Sequence, residues 1–165
     1  MLKGDLVKLS ILQGLNRDQL DLLEPLVEVC TFPAGSTLFA QGQEATHLYL
    51  ITRGTIEVRF KPYDGPPLTV SRMGTGDVCG WSSALGRDVY TSSAIATDTS
   101  EAYCISGAAL HDLCEQHPDA GVVILEKLAS AIAERLENTH AQIMSILSQG
   151  MKLEDSCSRK AEKDD

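Results

Sequence analysis

Residues 32–60 read FPAGSTLFAQGQEATHLYLITRGTIEVRF, and this stretch decides the fold class. It contains short runs of β-branched and aromatic residues, and turns with glycine separate them. Within one run, Leu48 and Leu50 alternate with Tyr49 and Ile51. Alternation with a period of two is typical of strands in a sheet, and glycine supplies the backbone conformations of tight turns. The stretch therefore predicts several short strands joined by sharp corners.

The same pattern continues on both sides of this stretch. Runs of this kind recur at fairly regular intervals from residue 27 to residue 106. Many short strands with glycine-marked corners predict a mainly β fold with flanking helices, arranged as a jelly-roll barrel or a related sandwich. The predicted strands are Val27–Phe32, Thr37–Ala40, His47–Thr52, Thr55–Phe60, Leu68–Arg72, Ser93–Ala96 and Glu101–Ile105.

Helices are predicted before and after the strands. Asn16 can cap a helix that begins at Arg17, and Gln19 is placed to complete a capping box. After the strands, residues 107–114 predict a short helix, and Pro118 opens a long one. The resulting division is a helical segment at 1–26, a β jelly roll at 27–106, C-terminal helices at 107–149 and a disordered tail at 150–165.

The long helix carries an apolar seam that extends over more than three heptads. Spacings of three and four alternate along it, and its one polar member is Thr139. This seam predicts a parallel homodimer, and the alternative is an amphipathic helix that packs on its own domain. The seam consists of Val122, Leu125, Ala129, Ile132, Leu136, Thr139, Ile143 and Ile146.

Length, composition and charge exclude several classes of function. The chain has 165 residues, of which 43% are hydrophobic, and its formal net charge is −9. Binding to nucleic-acid phosphates needs clustered Lys and Arg, and no such cluster occurs in this sequence. No apolar run is long enough to span a bilayer and no signal peptide is evident, so we expect a cytoplasmic protein without membrane contact. Catalytic motifs are also missing, so we expect no enzyme.

Cysteine and histidine are scattered, which argues against a metal site. The five cysteines show no C-x-x-C spacing, and we expect them to be reduced and mostly buried. Histidines occur singly, so axial ligation of haem is a weaker alternative to structural or exposed roles. The histidines are His47, His111, His117 and His140.

Residues 76–94 have the form of a phosphate-cradling turn. Gly80 precedes Trp81, two serines and an alanine, so the first backbone N–H groups of a short helical turn can point at an anion. The segment that follows should supply a cation, yet it carries Tyr90 and Thr91. Arg87 could reach the anion, although an exposed arginine beside Asp88 is the simpler interpretation.

These features together resemble the cyclic nucleotide-binding domain, in particular the sensory half of Crp-Fnr regulators. The resemblance covers about residues 5–148 and rests on residues 32–39, 41–42 and 47–54, and on Gly76-Asp77 and the Gly80 turn. It implies an eight-stranded jelly roll that dimerises through the long C-terminal helix. The family's transcription factors continue into a helix-turn-helix, for which residues 150–165 are too few, so we expect no direct contact with nucleic acid.

The resemblance also implies which residues would contact a ligand. Gly80 and Thr91 match the family's phosphate-binding cassette, but Trp81 stands at its Glu position and Tyr90 at its Arg position. Thr139 lies where cAMP-responsive regulators place a Thr that touches adenine. Trp81 could stack on an aromatic ligand or fill the pocket itself. The predicted ligand-binding residues are Gly80, Trp81, Ser82, Ser83, Tyr90, Thr91 and Thr139.

Two functions remain open from the sequence. The first is a non-enzymatic sensor that binds a small effector other than cAMP or cGMP, because the sugar and phosphate contacts are altered. The second is a ligand-free dimeric adaptor that contacts a protein partner. The cofactor is unknown in either case.

Overall fold

The structure is a computed structural model that describes residues 2–161. Side chains are described for residues 4–134, 137, 141, 144, 145 and 147–149. The chain forms two compact units, residues 1–131 and residues from 132 onward, and the boundary between them lies inside the last helix.

Within residues 2–161, eight antiparallel strands form two four-stranded sheets, which confirms the jelly-roll fold class. Sheet 1 has the order β1-β8-β3-β6, and sheet 2 has the order β2-β7-β4-β5. The sequence prediction missed β6, the shortest strand. The strands are β1 Val27–Phe32, β2 Thr37–Phe39, β3 His47–Arg53, β4 Ile56–Phe60, β5 Leu68–Met73, β6 Val78–Cys79, β7 Ser93–Ala96 and β8 Ser100–Ser106.

Helices flank the sheets at both ends of the chain. They are α1 Leu2–Leu6, α2 Arg17–Leu23, α3 Gly107–Gln116 and α4 Pro118–Ala161, with 3-10 turns at Ser10–Leu12, Glu24–Leu26 and Trp81–Ser83. The predicted capping box of α2 is confirmed, because the Asn16 side chain accepts from the Gln19 N–H and the Gln19 side chain accepts from the Asn16 N–H, both at 2.9 Å.

The central strands β3 and β8 of sheet 1 have buried residues on both faces, which explains why apolar residues occupy successive positions of β3. Leu48 and Leu50 face a cluster built with α1–α4, whereas Ile51 belongs to a second cluster between the two sheets. We call these the outer and inner clusters. The buried residues of the inner cluster are Leu38, Phe39, Ile51, Ile56, Val58, Met73, Cys79, Tyr90, Ala94 and Ala96.

The last helix, α4, is 44 residues long and extends beyond Gly150, where the sequence pattern predicts its end. Most of the segment predicted to be a disordered tail is therefore helical, and residues 162–165 lie outside the described residues. The extension contains no proline and several good helix formers, which is compatible with a continued helix. No helix within residues 2–161 combines the length and the apolar character needed to cross a bilayer.

The expectation of reduced cysteines is wrong for one pair. Cys30 on β1 and Cys104 on β8 form a disulfide, with their Cα atoms 6.4 Å apart. The pair is separated by 74 residues along the chain, and only the pairing of β1 with β8 brings it together. Cys79 and Cys114 are not disulfide-bonded.

Candidate functional site

The predicted cassette begins at Gly80, directly after β6, and the local backbone requires a glycine there. Gly80 has a φ of +75°, a left-handed conformation that side chains disfavour. A Cβ atom at this position would lie 2.8 Å from the backbone oxygen of His47 and 3.1 Å from the ring of Tyr49. The turn therefore packs tightly against β3.

Hydrogen bonds inside the turn occupy several of the groups predicted to hold an anion. The Ser83 hydroxyl donates to the Gly80 carbonyl at 3.0 Å, and the Ser83 N–H donates to the same oxygen at 3.3 Å. The Ala84 N–H donates to the Trp81 carbonyl at 2.9 Å. The turn Trp81–Ser83 has only three residues. Internal hydrogen bonds thus hold the geometry of this turn.

A second glycine joins this turn to α3. A Cβ atom at Gly107, the first residue of α3, would lie 2.6 Å from the carbonyl oxygen of Ser83. The Gly107 N–H also donates to the Thr46 carbonyl at 2.9 Å, and the Ser106 hydroxyl caps α3 by accepting from the Ala109 N–H. The cassette turn and the start of α3 are therefore in direct backbone contact.

Tyr90 points into the inner cluster, although it belongs to no regular strand. Its side chain is only 2% exposed. The hydroxyl donates to the His47 carbonyl at 2.6 Å and accepts from the His47 N–H at 3.0 Å. The backbone of Tyr90 is held too, since its N–H donates to the Gln43 carbonyl and its carbonyl accepts from the Gly42 N–H, both at 2.9 Å.

Aromatic rings surround Tyr90 inside the barrel. The ring of Phe39 stacks on it with centroids 4.0 Å apart, and the rings of Tyr49 and Phe39 also stack, with centroids 5.8 Å apart. Phe32 meets Tyr49 edge-on at 6.0 Å. Burial raises the pKa of Tyr49 to about 12, and the neighbouring Tyr90 and Cys79 add to this increase. The inner cluster at this end is thus aromatic and uncharged.

The other predicted ligand-binding residues lie in different environments. Trp81 is half-buried, Ser82 is buried and Thr91 is exposed. Tyr90, and not Trp81, places its ring in the inner cluster. Arg87 is exposed, as the simpler interpretation expects. The side chain of Thr139 lies outside the described residues, so its predicted contact with a base stays a prediction.

Sequence reasoning missed the partners of Tyr90. The sequence predicts strands at Phe39 and Tyr49 without a role in the site, and it suggests only haem ligation for His47. The alternation of Tyr49 with Leu48 and Leu50 was the available signal, because it places Tyr49 on the face of β3 opposite the outer cluster.

A groove of about 340 Å³ lies beside the cassette turn. Ser83 and Gly86 line one side, and Gly107, His111 and Cys114 of α3 line the other. His111 pairs with Glu115 at 3.2 Å, and burial raises the pKa of the Cys114 thiol. Within the described residues, no group of three or more His, Cys, Asp or Glu side chains could hold a metal ion.

The first part of α4 has two distinct faces. Ile124 and Leu128 are buried in the outer cluster, with 2% and 8% exposure. Val122 and Leu125, the first two residues of the predicted seam, are 55% and 41% exposed. The seam therefore begins on a face that its own domain leaves open. Side chains of Leu136, Ile143 and Ile146 lie outside the described residues.

Comparison with known proteins identifies the family and the fold. Residues 29–117 match the cyclic nucleotide-binding domain family, and the chain belongs to that family. A cyclic nucleotide-binding domain from Methylobacillus flagellatus has the same fold, with a TM-score of 0.76 and 19% identity, covering 86% of this chain and 79% of that one.

Among curated proteins, the chain is similar to regulators of the Crp type. It is 27% identical over 142 residues to the CRP-like cAMP-activated global transcriptional regulator of Mycobacterium tuberculosis, covering 86% of this chain and 62% of that protein. The chain thus spans about three-fifths of the length of this relative. A cAMP-independent protein kinase A regulatory subunit from Trypanosoma cruzi, bound to guanosine, shares the fold at a TM-score of 0.65 and 22% identity, covering 77% of this chain and 44% of that one.

Proposed function

We propose that this cyclic nucleotide-binding domain is a non-enzymatic sensor whose ligand is not cAMP or cGMP. The observation that carries the proposal is the position of Tyr90. The family resemblance expects an Arg there, which would pair with a cyclic phosphate. Tyr90 is instead buried and bonded to both backbone polar groups of His47. A neutral residue that is already satisfied by the protein offers nothing to a phosphate.

The energetic consequence is large for a cyclic nucleotide. Hydrogen bonds to charged groups contribute about 1.5–3 kcal/mol each, and an Arg–phosphate contact makes two of them. Trp81 removes the ribose acceptor as well. Together these losses weaken binding by about three orders of magnitude, at about 1.4 kcal/mol per tenfold. Tight binding of cAMP or cGMP is therefore not expected.

The aromatic side chains favour a flat, uncharged ligand such as a nucleoside. Phe32 and Tyr49 pack against the inner cluster but remain half-buried, and Trp81 is half-buried at the cassette. Such rings offer stacking surfaces without requiring a negative charge. The Trypanosoma cruzi subunit is described as cAMP-independent and bound to guanosine, which supports the compatibility of this fold with such a ligand.

A signal from the pocket would pass to the helices through the cassette turn. Ser83 touches Gly107 at the start of α3, so a shift of the turn would displace α3. The exposed apolar side chains of Val122 and Leu125 at the start of the seam support an output through a homodimer formed by α4.

A ligand-free adaptor is the second candidate, and the packing of Tyr90 favours it. The ring already fills space between the sheets, stacked on Phe39 at 4.0 Å. In this case the domain is stable without an effector, and its output is contact with a protein through α4 or the barrel surface.

Calorimetry with cAMP, cGMP, adenosine and guanosine separates these functions. We expect no binding of either cyclic nucleotide tighter than about 100 μM, which corresponds to roughly 5.5 kcal/mol. The sensor proposal expects a nucleoside to bind more tightly than its cyclic nucleotide, and expects Trp81→Ala to weaken it. Arg87→Ala is the matched control, because the side chain is exposed on the same loop. Micromolar cAMP affinity would contradict both candidates, and an absence of all binding would leave the adaptor.

A further inference from the structure

Cys30 and Cys104 are diagonal neighbours on adjacent antiparallel strands. Cys30 of β1 lies opposite Ala102 of β8, and Cys104 lies two residues further along β8. Residues two apart on a strand share a face, so both side chains project to the same side of sheet 1. Their Cα separation of 6.4 Å lies within the range that a disulfide spans.

That side is the interior of the jelly roll. Tyr103 and Ile105, the residues on either side of Cys104, belong to the outer cluster. Cys104 therefore faces the inner cluster, where its directly paired neighbour on β3 is Tyr49. Tyr49 is in turn opposite Cys79 on β6, so Cys79 faces the interior from the far side of the tyrosine.

The two cysteines differ in their access to solvent. Cys30 is half-buried and lies on β1, an edge strand of sheet 1, whereas Cys104 is 3% exposed on the neighbouring inner strand. Edge strands open more readily than central strands because they are bonded on one side only. A small oxidant can therefore reach Cys30 first, and Cys104 stands ready to react with the product.

We propose that Cys30 and Cys104 form a reversible thiol–disulfide pair, which a peroxide or a low-molecular-weight disulfide oxidises. With hydrogen peroxide, the Cys30 thiolate attacks one oxygen, an S–O bond forms, the O–O bond breaks and hydroxide leaves. The Cys104 thiol then attacks the Cys30 sulfenic acid, so that the S–S bond forms and water leaves. The two thiols lose two electrons and two protons, and the peroxide is reduced to two waters.

Oxidation would link the edge strand β1 covalently to the inner strand β8, next to Tyr49 on β3. Because the bond closes a long loop, it restricts the unfolded chain and stabilises the native state. We expect the oxidised protein to melt roughly 5–10 °C higher than the reduced protein. The proposal does not depend on which ligand the barrel takes.

The test equilibrates the full chain in glutathione buffers of increasing oxidising strength. Samples are quenched with acid and alkylated with N-ethylmaleimide. Intact-protein mass spectrometry then counts the adducts, and digestion maps the cross-linked peptides. In oxidising buffer, we expect the N-ethylmaleimide adducts of Cys30 and Cys104 to disappear together and a cross-linked Cys30–Cys104 peptide to form. Both changes should reverse in reducing buffer. Cys30→Ser should abolish the link, whereas Cys79→Ser, which alters another interior cysteine, should leave it.

Three results would overturn the proposal. In the first, the N-ethylmaleimide adducts of both Cys30 and Cys104 persist in the most oxidising buffer. In another, the cross-link joins Cys79 or a second chain rather than Cys30 and Cys104. In the third, the link forms but withstands reducing glutathione buffers in the folded protein, which would make it a permanent structural disulfide. Peptide mapping of the unaltered chain decides among them even where a variant fails to fold.

Discussion

Tyr90 is held in the barrel by its hydroxyl group as well as by its ring. The hydroxyl bridges the N–H and the carbonyl of His47, which marks the start of β3, and the ring stacks on Phe39. Tyr90 thereby occupies the position where the family resemblance expects an Arg that contacts phosphate. It also links the loop before β7 to β3 of sheet 1. The contribution of Tyr90 to stability can be measured without a ligand.

We predict that Tyr90→Phe lowers the free energy of unfolding by about 1–3 kcal/mol. The ring and its stacking remain, but two backbone groups of His47 lose their hydrogen-bond partner. Urea unfolding measures the change. Tyr63→Phe is the matched control, because Tyr63 is 99% exposed and its hydroxyl can bond to water. Equal stability of the two variants would show that the bridge contributes nothing.

The pKa of Tyr49 predicts a loss of stability in alkaline solution. Burial raises this pKa from 10.0 to about 12 in the folded state, so the folded protein holds the proton more strongly than the unfolded chain does. The stabilisation is complete below pH 10 and is lost as the pH rises from 10 to 12. We expect Tyr49→Phe to unfold with a shallower dependence on pH in that window.

Ultraviolet absorbance of the phenolate checks the same assignment without unfolding. In a titration to pH 12, the phenolate absorbance that appears at the highest pH should be smaller in Tyr49→Phe than in the unaltered protein. If the late change survives in this variant, another tyrosine is responsible, and Tyr103 is the next candidate because burial also raises its pKa.

At the scale of elements, α2 offers a direct test of local sequence control. Asn16 and Gln19 predict its capping box, and the box is present. We expect Asn16→Ala to cost about 0.5–2 kcal/mol, measured as a lower melting temperature. Asn16→Asp is the control, because it keeps an acceptor for the Gln19 N–H and should retain most of the stability. A similar loss in both variants would point to the Asn16 amide rather than to the cap.

The elements that the sequence predicts well are those with local signals. Glycine-marked turns and β-branched runs placed seven of the eight strands to within one residue at either end. Val78–Cys79 was missed because two residues carry no periodic pattern. The inward direction of Tyr90 was missed for a similar reason, since its segment is irregular. The Cys30–Cys104 contact depends on strand pairing across 74 residues, which spacing along the chain does not reveal.

At the scale of the whole molecule, α4 connects the barrel to the predicted dimer. Ile124 and Leu128 attach its first turns to the outer cluster, while Val122 and Leu125 remain exposed on another face. These two exposed residues begin the seam of alternating three- and four-residue spacings, which is the pattern by which two helices associate. The exposed face therefore favours association with another chain, although the homodimer and the cytoplasmic location stay predictions.

We predict that the double variant Ile132→Glu with Leu136→Glu is a monomer in sedimentation velocity. If the seam forms the dimer, both substitutions place a charge in an apolar interface and raise the dissociation constant by ~100-fold or more. The matched control is Ala141→Glu with Ser148→Glu, which adds the same charge to the same helix at exposed positions outside the seam. This control should remain dimeric. A dimer that survives in the seam variant would place assembly on another surface, whereas dissociation of both variants would attribute the effect to net charge, because the chain already carries −9.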